Sequence, residues 1–162
     1  MTEAERQRWA VIQQFELDDH ASALPFSDRL ARENGWSKTF ALRAVEEYKK
    51  FMFLVATTDS PLTPSDEVDQ VWHLHLLYTR SYWKEFCAVV LQKEIHHGPT
   101  TGGASQRDQF TAWYNDTLQC YRDMFQMEPP ADLWPTAAVR FKATNFQRVD
   151  IQKHWIIKKP YL

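Results

Sequence analysis

Cysteine, glycine and long apolar runs are all scarce in this sequence. Cys87 and Cys120 are the two cysteines among 162 residues, and they stand far apart. Neither a Cys-rich zinc site nor a C-x-x-C redox motif can be built from them, and free thiols point to a cytosolic setting. The longest apolar runs, over 51–56 and 86–91, are six residues each. A bilayer needs about 20, so no membrane span is expected. Met1 to Arg6 is charged and lacks an apolar stretch, so no secretory signal is expected either. An excess of one charge is also missing. Nineteen Lys and Arg stand against 21 Asp and Glu, a formal net charge of −2. Such a balance gives no global pull toward nucleic acid, and no nucleic-acid partner is expected.

What is abundant is aromatic. Phe, Trp and Tyr make up 14% of the chain, with seven tryptophans. A chain of this length buries roughly two-thirds of its unfolded surface, so a bulky core needs no disulfide or metal to hold it. No internal repeat, linker or low-complexity stretch divides the sequence, and a single domain over 1–162 is expected.

The periodicity is helical nearly throughout. A first amphipathic helix is expected over 3–18, closed by Leu24-Pro25. A short one follows over 28–34, capped by Ser27 and ended by Gly35. Ser37 caps the clearest helix, 38–57. There Phe40, Ala41, Ala44, Val45, Tyr48, Phe51, Met52 and Val55 make one stripe, with Glu46, Glu47, Lys49 and Lys50 away from it. After a proline-bearing loop Ser65 caps a long helix over 66–92, with Asp66, Glu67 and Asp69 in its first turn. Its stripe runs Val68, Val71, Trp72, His75, Tyr82, Phe86, Val89, and it reads as the central, buried element. Ser105 with Asp108 opens a further helix to about 126, stopped by Pro129-Pro130, and a short turn of helix follows around 131–138. Residues 148–162, with Trp155-Ile156-Ile157 among lysines, read as a strand, a packed tail or a segment that docks on a partner protein. The expected fold is all-α: an irregular bundle of five to six helices with a long central helix and an extended C-terminal tail.

Two segments hold four of the six histidines and three of the four glycines: Pro64-Ser65-Asp66-Glu67-Val68-Asp69-Gln70-Val71-Trp72-His73-Leu74-His75 and His96-His97-Gly98-Pro99-Thr100-Thr101-Gly102-Gly103. Asp69 and His73 are one helical turn apart and share a face, so the carboxylate can orient the imidazole or join it on a metal. Two residues of helix turn a side chain by about 200°, so His73 and His75 cannot serve one ion on a regular helix. His75 lies on the apolar stripe and reads as a buried, hydrogen-bonded histidine. A helix over 66–92 is about 40 Å long. His96 and His97 then start far from Asp69, and either the chain folds back or the pair forms a separate site with groups such as Cys87. Histidine and carboxylate ligands suit Zn, Fe or Mn. No H-E-x-x-H is present, which disfavours a zincin-type peptidase. The Gly-Pro-Thr-Thr-Gly-Gly turn lacks the G-K-[ST] of a P-loop and reads as a turn with a cap.

Glu47-Tyr48-Lys49-Lys50-Phe51, Pro64-Ser65 through Val68-Asp69, Trp72-His73-Leu74-His75, Cys87 and His96-His97 resemble the glycine-rich-domain-containing-protein-like family. The likeness covers roughly residues 26–141. It implies a helical domain with a W-H-x-H core and a downstream histidine, and motif positions at Trp72, His73, His75, Cys87 and His96/His97. Members with glycine-rich or RNA-binding appendages differ from this chain, which has four glycines and no such tail. The candidate metal set from the sequence is Asp69, His73, His96 and His97, with a metal-dependent enzyme as the leading expectation. The alternative is a non-catalytic interaction module in which the histidines are structural and the C-terminal tail meets a protein partner.

Overall fold

The computed structural model describes residues 1–98, 103–142, 149 and 152–157. Among them it is all-helical, with no strand and with seven helical segments rather than the five to six expected, because the stretch 66–92 divides in two and Ala137–Arg140 adds a single turn. Helix α1 is Glu3–Gln14, shorter than its sequence pattern. Thr2 and Glu5 form a reciprocal capping box at its start, the arrangement that satisfies two orphan N–H groups at once. Helix α2 is Phe26–Asn34, ended by Gly35 in the left-handed region at φ 67°. Ser27 does not cap α2. It is buried, and its backbone N–H and hydroxyl both donate to Asp18.

Helix α3 is Lys38–Thr57, capped by the Ser37 hydroxyl as its sequence predicts. It packs against α1 and α2, and against two later helices, α4 (Asp66–Leu77) and α5 (Ala104–Phe125). The middle of the fold is therefore α3, not the segment 66–92. The polar residues expected on its open face are partly inside: Glu47 and Lys49 are buried. Glu47 accepts from Trp134 Nε1 at 2.8 Å, Lys50 Nζ at 2.8 Å and the Tyr121 hydroxyl at 3.3 Å. Lys49 donates to the Gln13 carbonyl and to Glu46. Helical period alone could not foresee this, because the partners come from other elements. A buried carboxylate is tolerated when several donors replace its water.

The long helix expected over 66–92 is two elements. Helix α4 stops at Leu77, where Tyr78 leaves helical geometry and its N–H turns back to the His75 carbonyl at 2.9 Å. A π-helix follows over Ser81–Leu91. Its buried side chains are Tyr82, Phe86, Cys87 and Leu91, and the steps from 82 to 86 and from 86 to 91 fit the wider i→i+5 turn. The 3.6-residue stripe fails here: Val89, expected inside, is 68% exposed. Gln92 ends the π-helix in the left-handed region at φ 51°.

Helix α5 starts one residue before Ser105, behind Gly103 and without a side-chain cap. The expected helix at 131–138 is instead the single turn α6, Ala137–Arg140. Residues 99–102, and most of the tail from 143 on, lie outside the described residues. The described tail residues form no helix or strand, and Trp155, Ile156 and Ile157 are 94%, 72% and 81% exposed. No described helix is long and apolar enough to cross a membrane.

His75 is fully inside, as its place on the stripe implies. The rings of Phe15, Phe26, Tyr48, Tyr82 and Phe86 surround it at centroid distances of 5.2–6.1 Å. Nδ1 is 2.9 Å from the Tyr48 hydroxyl and Nε2 is 3.2 Å from Ser81 Oγ. The Tyr48 proton has no other acceptor among the described residues, so we assign its O–H as donor to Nδ1 and Nε2–H as donor to Ser81. That tautomer leaves Ser81 without a base at His75.

Burial lowers His75 from 6.5 to about 3. The unfolded chain then binds the extra proton between those values, so stability is whole above pH 6.5 and falls as pH drops through the window. Unfolding by denaturant should show a loss of about 2 kcal/mol between pH 7 and 5 from this group, and His75→Gln should remove that part of the slope. Glu47→Ala strands Lys50 and the Trp134 N–H, and should cost about 3 kcal/mol of unfolding free energy. Glu47→Gln, which keeps an acceptor oxygen, should cost less.

Candidate metal centre

Asp69 and His73 stand on consecutive turns of α4, the first turn and the next. His97 reaches them from the segment after the π-helix. The break at Tyr78 lets the chain return, and it brings together residues that a continuous helix would keep far apart. His97 Nε2–H donates to Asp69 Oδ1 at 2.8 Å. His73 Nε2 lies 3.7 Å from Asp69 Oδ2. The two imidazole rings are 4.6 Å apart, centroid to centroid. One ligand atom from each of Asp69, His73 and His97 lies within 4.8 Å of the other two, an arrangement that can hold a metal ion. The side chains of Asp69 and His97 are 17% and 19% exposed and that of His73 is 49% exposed, so the group is sheltered on one side and open on the other.

Trp72 fixes this arrangement from below. Its indole N–H donates to the Tyr82 hydroxyl at 2.9 Å, and that hydroxyl donates to the Ile95 carbonyl. The same indole packs against the His97 ring at 4.5 Å between centroids, with the planes inclined at 73°. The bond to Ile95 anchors the chain two residues before His97. Burial then alternates inward, outward, inward along Ile95, His96 and His97, the period of two of an extended chain.

His96, expected among the ligands, is thereby turned away. It lies beside Trp83 at 5.2 Å, 3.7 Å from exposed Glu94. The separate site with Cys87 does not form. Cys87 is fully buried, and burial pushes its thiol up. His75 faces the core on the other side of α4, as the 200° rotation requires. Of the motif residues, Trp72 and His75 are buried and hydrogen-bonded, to Tyr82 and to Tyr48 and Ser81 respectively, and Cys87 packs in the core.

An open cleft of about 730 Å³ adjoins the group. Asp69, Trp72 and His97 form one wall, with His96 at hand. Phe110 and Trp113 of α5 and Phe141 form another, joined by Arg107, Arg140 and Lys142. Sequence reasoning missed the basic residues, because nothing in their spacing marks them. Phe110 and Trp113 were legible only as helix stripe. Tyr82 was legible only as a core residue.

No curated protein and no solved structure matches the chain. A family model described as UCP032817-like matches residues 7–131. Nothing in that match ties the chain to the glycine-rich-domain-containing-protein-like family. The matched span runs from within α1 through α5 and includes all three residues of the Asp–His group, and the chain belongs to the UCP032817-like family.

Proposed function

We propose that Asp69, His73 and His97 bind a divalent metal ion, and that the protein is a metal-dependent enzyme acting on a ligand held in the adjoining cleft. The observation that carries this is the convergence of two imidazoles and a carboxylate, from segments 28 residues apart, at the wall of an open cleft. Donors at about 2.0–2.2 Å from zinc stand roughly 3.4 Å apart in a tetrahedral site. The 2.8 and 3.7 Å separations lie either side of that value and the whole group lies within 4.8 Å, so binding an ion would draw the side chains together and displace the His97 Nε2 proton. The set suits Zn, Fe or Mn, with coordination positions left for water or substrate. Water on such an ion loses a proton near neutral pH, which supports hydrolytic chemistry. A kinship with the glycine-rich-domain-containing-protein-like family is part of this proposal: the residues of that likeness include Asp69, His73 and His97.

A separate observation favours a second role. The consecutive exposure of Trp155, Ile156 and Ile157 supports the tail as a docking segment for a partner protein, which needs no metal.

Metal content of protein purified without chelator and incubated with Zn²⁺, Mn²⁺ or Fe²⁺ decides the first reading. About one equivalent of one ion is expected, falling below a tenth in His73→Ala and in His97→Ala while both remain folded. Binding of no ion, or equal content in the variants, contradicts it. Tyr82→Phe keeps every ligand and removes both the bond to Ile95 and the acceptor of the Trp72 indole. It should lower metal affinity at least tenfold, the scale seen when groups that orient ligands are lost, with a stability loss of about 2–4 kcal/mol from the two buried groups left unpartnered.

A further inference from the structure

The cleft has a charge of its own. Asp69 is the one carboxylate in its described lining, against three cations, Arg107, Arg140 and Lys142. The whole chain carries −2, so this local excess is not the background of a basic protein. The cations gather around Phe141. Arg107 donates to its carbonyl at 2.6 Å, the Arg140 guanidinium lies 5.4 Å from its ring, and Lys142 is the next residue. Arg140 is braced by the Pro64 carbonyl at 3.3 Å and by Asp66 at 3.5 Å. Arg107 spends one bond on Phe141 out of a fork of five donors, and Lys142 brings three. Phe110 and Trp113 supply an aromatic wall, edge to face at 5.2 Å and 90°. A volume of about 730 Å³ is that of a small-molecule site.

We propose that this cleft binds a small organic anion. Its aromatic body lies against Phe110 and Trp113, and its carboxylate or phosphate meets Arg107 and Lys142. Guanidinium groups match both oxyanions in shape and charge. The inference rests on the metal reading in that this ligand is the substrate class of the same site. The anion is held by other side chains, however, so the two can fail separately. A divalent ion at Asp69, His73 and His97 adds positive charge to the same cleft and tightens the anion further.

Calorimetric titration with 1-naphthoate, 1-naphthyl phosphate and uncharged 1-naphthol tests this, first on chelator-treated protein and then with Zn²⁺ or Mn²⁺ present. Metal-free protein should bind at least one of the anions ten times or more tightly than naphthol. The double variant R107Q/K142Q should lose that advantage while still binding naphthol. Trp113→Ala should weaken all three, and Lys84→Gln, which removes one positive charge on the exposed face of the π-helix, should change nothing. His73→Ala should bind the anion as metal-free wild type does and show no gain with metal. That result separates a failed metal reading from a failed anion site. Equal binding of naphthol and both anions, an undiminished preference in R107Q/K142Q, or no binding of any probe overturns the proposal. Naphthoate and naphthyl phosphate, compared with each other, tell which oxyanion the basic end prefers.

Discussion

The hydroxyl of Tyr82 holds the candidate site together. It accepts from the Trp72 indole and donates to the Ile95 carbonyl, so one oxygen joins α4, the π-helix and the segment that carries His97. A buried carbonyl in a non-helical segment needs a donor, and Tyr82 supplies it at the point that sets where His97 falls. The π-helix is part of the same constraint. Its wide turn faces Tyr82, Phe86 and Leu91 inward together, and the break at Tyr78 before it lets the chain come back along α4. Without that return, His97 and Asp69 would stand apart.

The histidines show how environment divides one residue type into different roles. His75 is enclosed by five aromatic rings and stays neutral, because burial opposes its charge. It joins α3, α4 and the start of the π-helix through Tyr48 and Ser81. His96 is exposed. His73 and His97 lie between these extremes, at a cleft wall and beside a carboxylate. Four of the buried polar residues, Glu47, Lys49, Ser27 and His75, each have partners from another element or loop, whereas Thr63 Oγ1 and Glu67 Oε2 are buried with no partner among the described residues. These bonds join α1, α3, α5 and the Trp134 loop into the support on which α4 rests.

Much of this was legible in the sequence. Ser37, Ser65 and Gly35 marked helix ends correctly, because capping is a local matter of one side chain and a few N–H groups. Asp69 and His73 were legible as a pair, since four residues of helix fix their neighbourhood. The rotation argument also separated His75 from His73. The π-helix was not legible. A run such as Tyr82-Trp83-Lys84-Glu85-Phe86 fits a 3.6-residue stripe until the register drifts, and the error surfaces at Val89. His97 and His96 could not be told apart, since the choice depends on Tyr82 pinning Ile95 across 13 residues. The basic end of the cleft depends on where α5 and α6 pack, which spacing does not report.

The central claim is that two histidines and one aspartate, brought together by the Tyr82 tie, form one metal centre. The X-ray absorption spectrum of the protein loaded with one equivalent of Zn²⁺ tests it directly. Nitrogen and oxygen neighbours only are expected, at about 2.0–2.2 Å, with the scattering signature of two imidazoles. In His97→Ala the two-imidazole signature should be gone. A sulfur neighbour at about 2.3 Å, or a two-imidazole spectrum unchanged in His97→Ala but altered in His96→Ala, would contradict it.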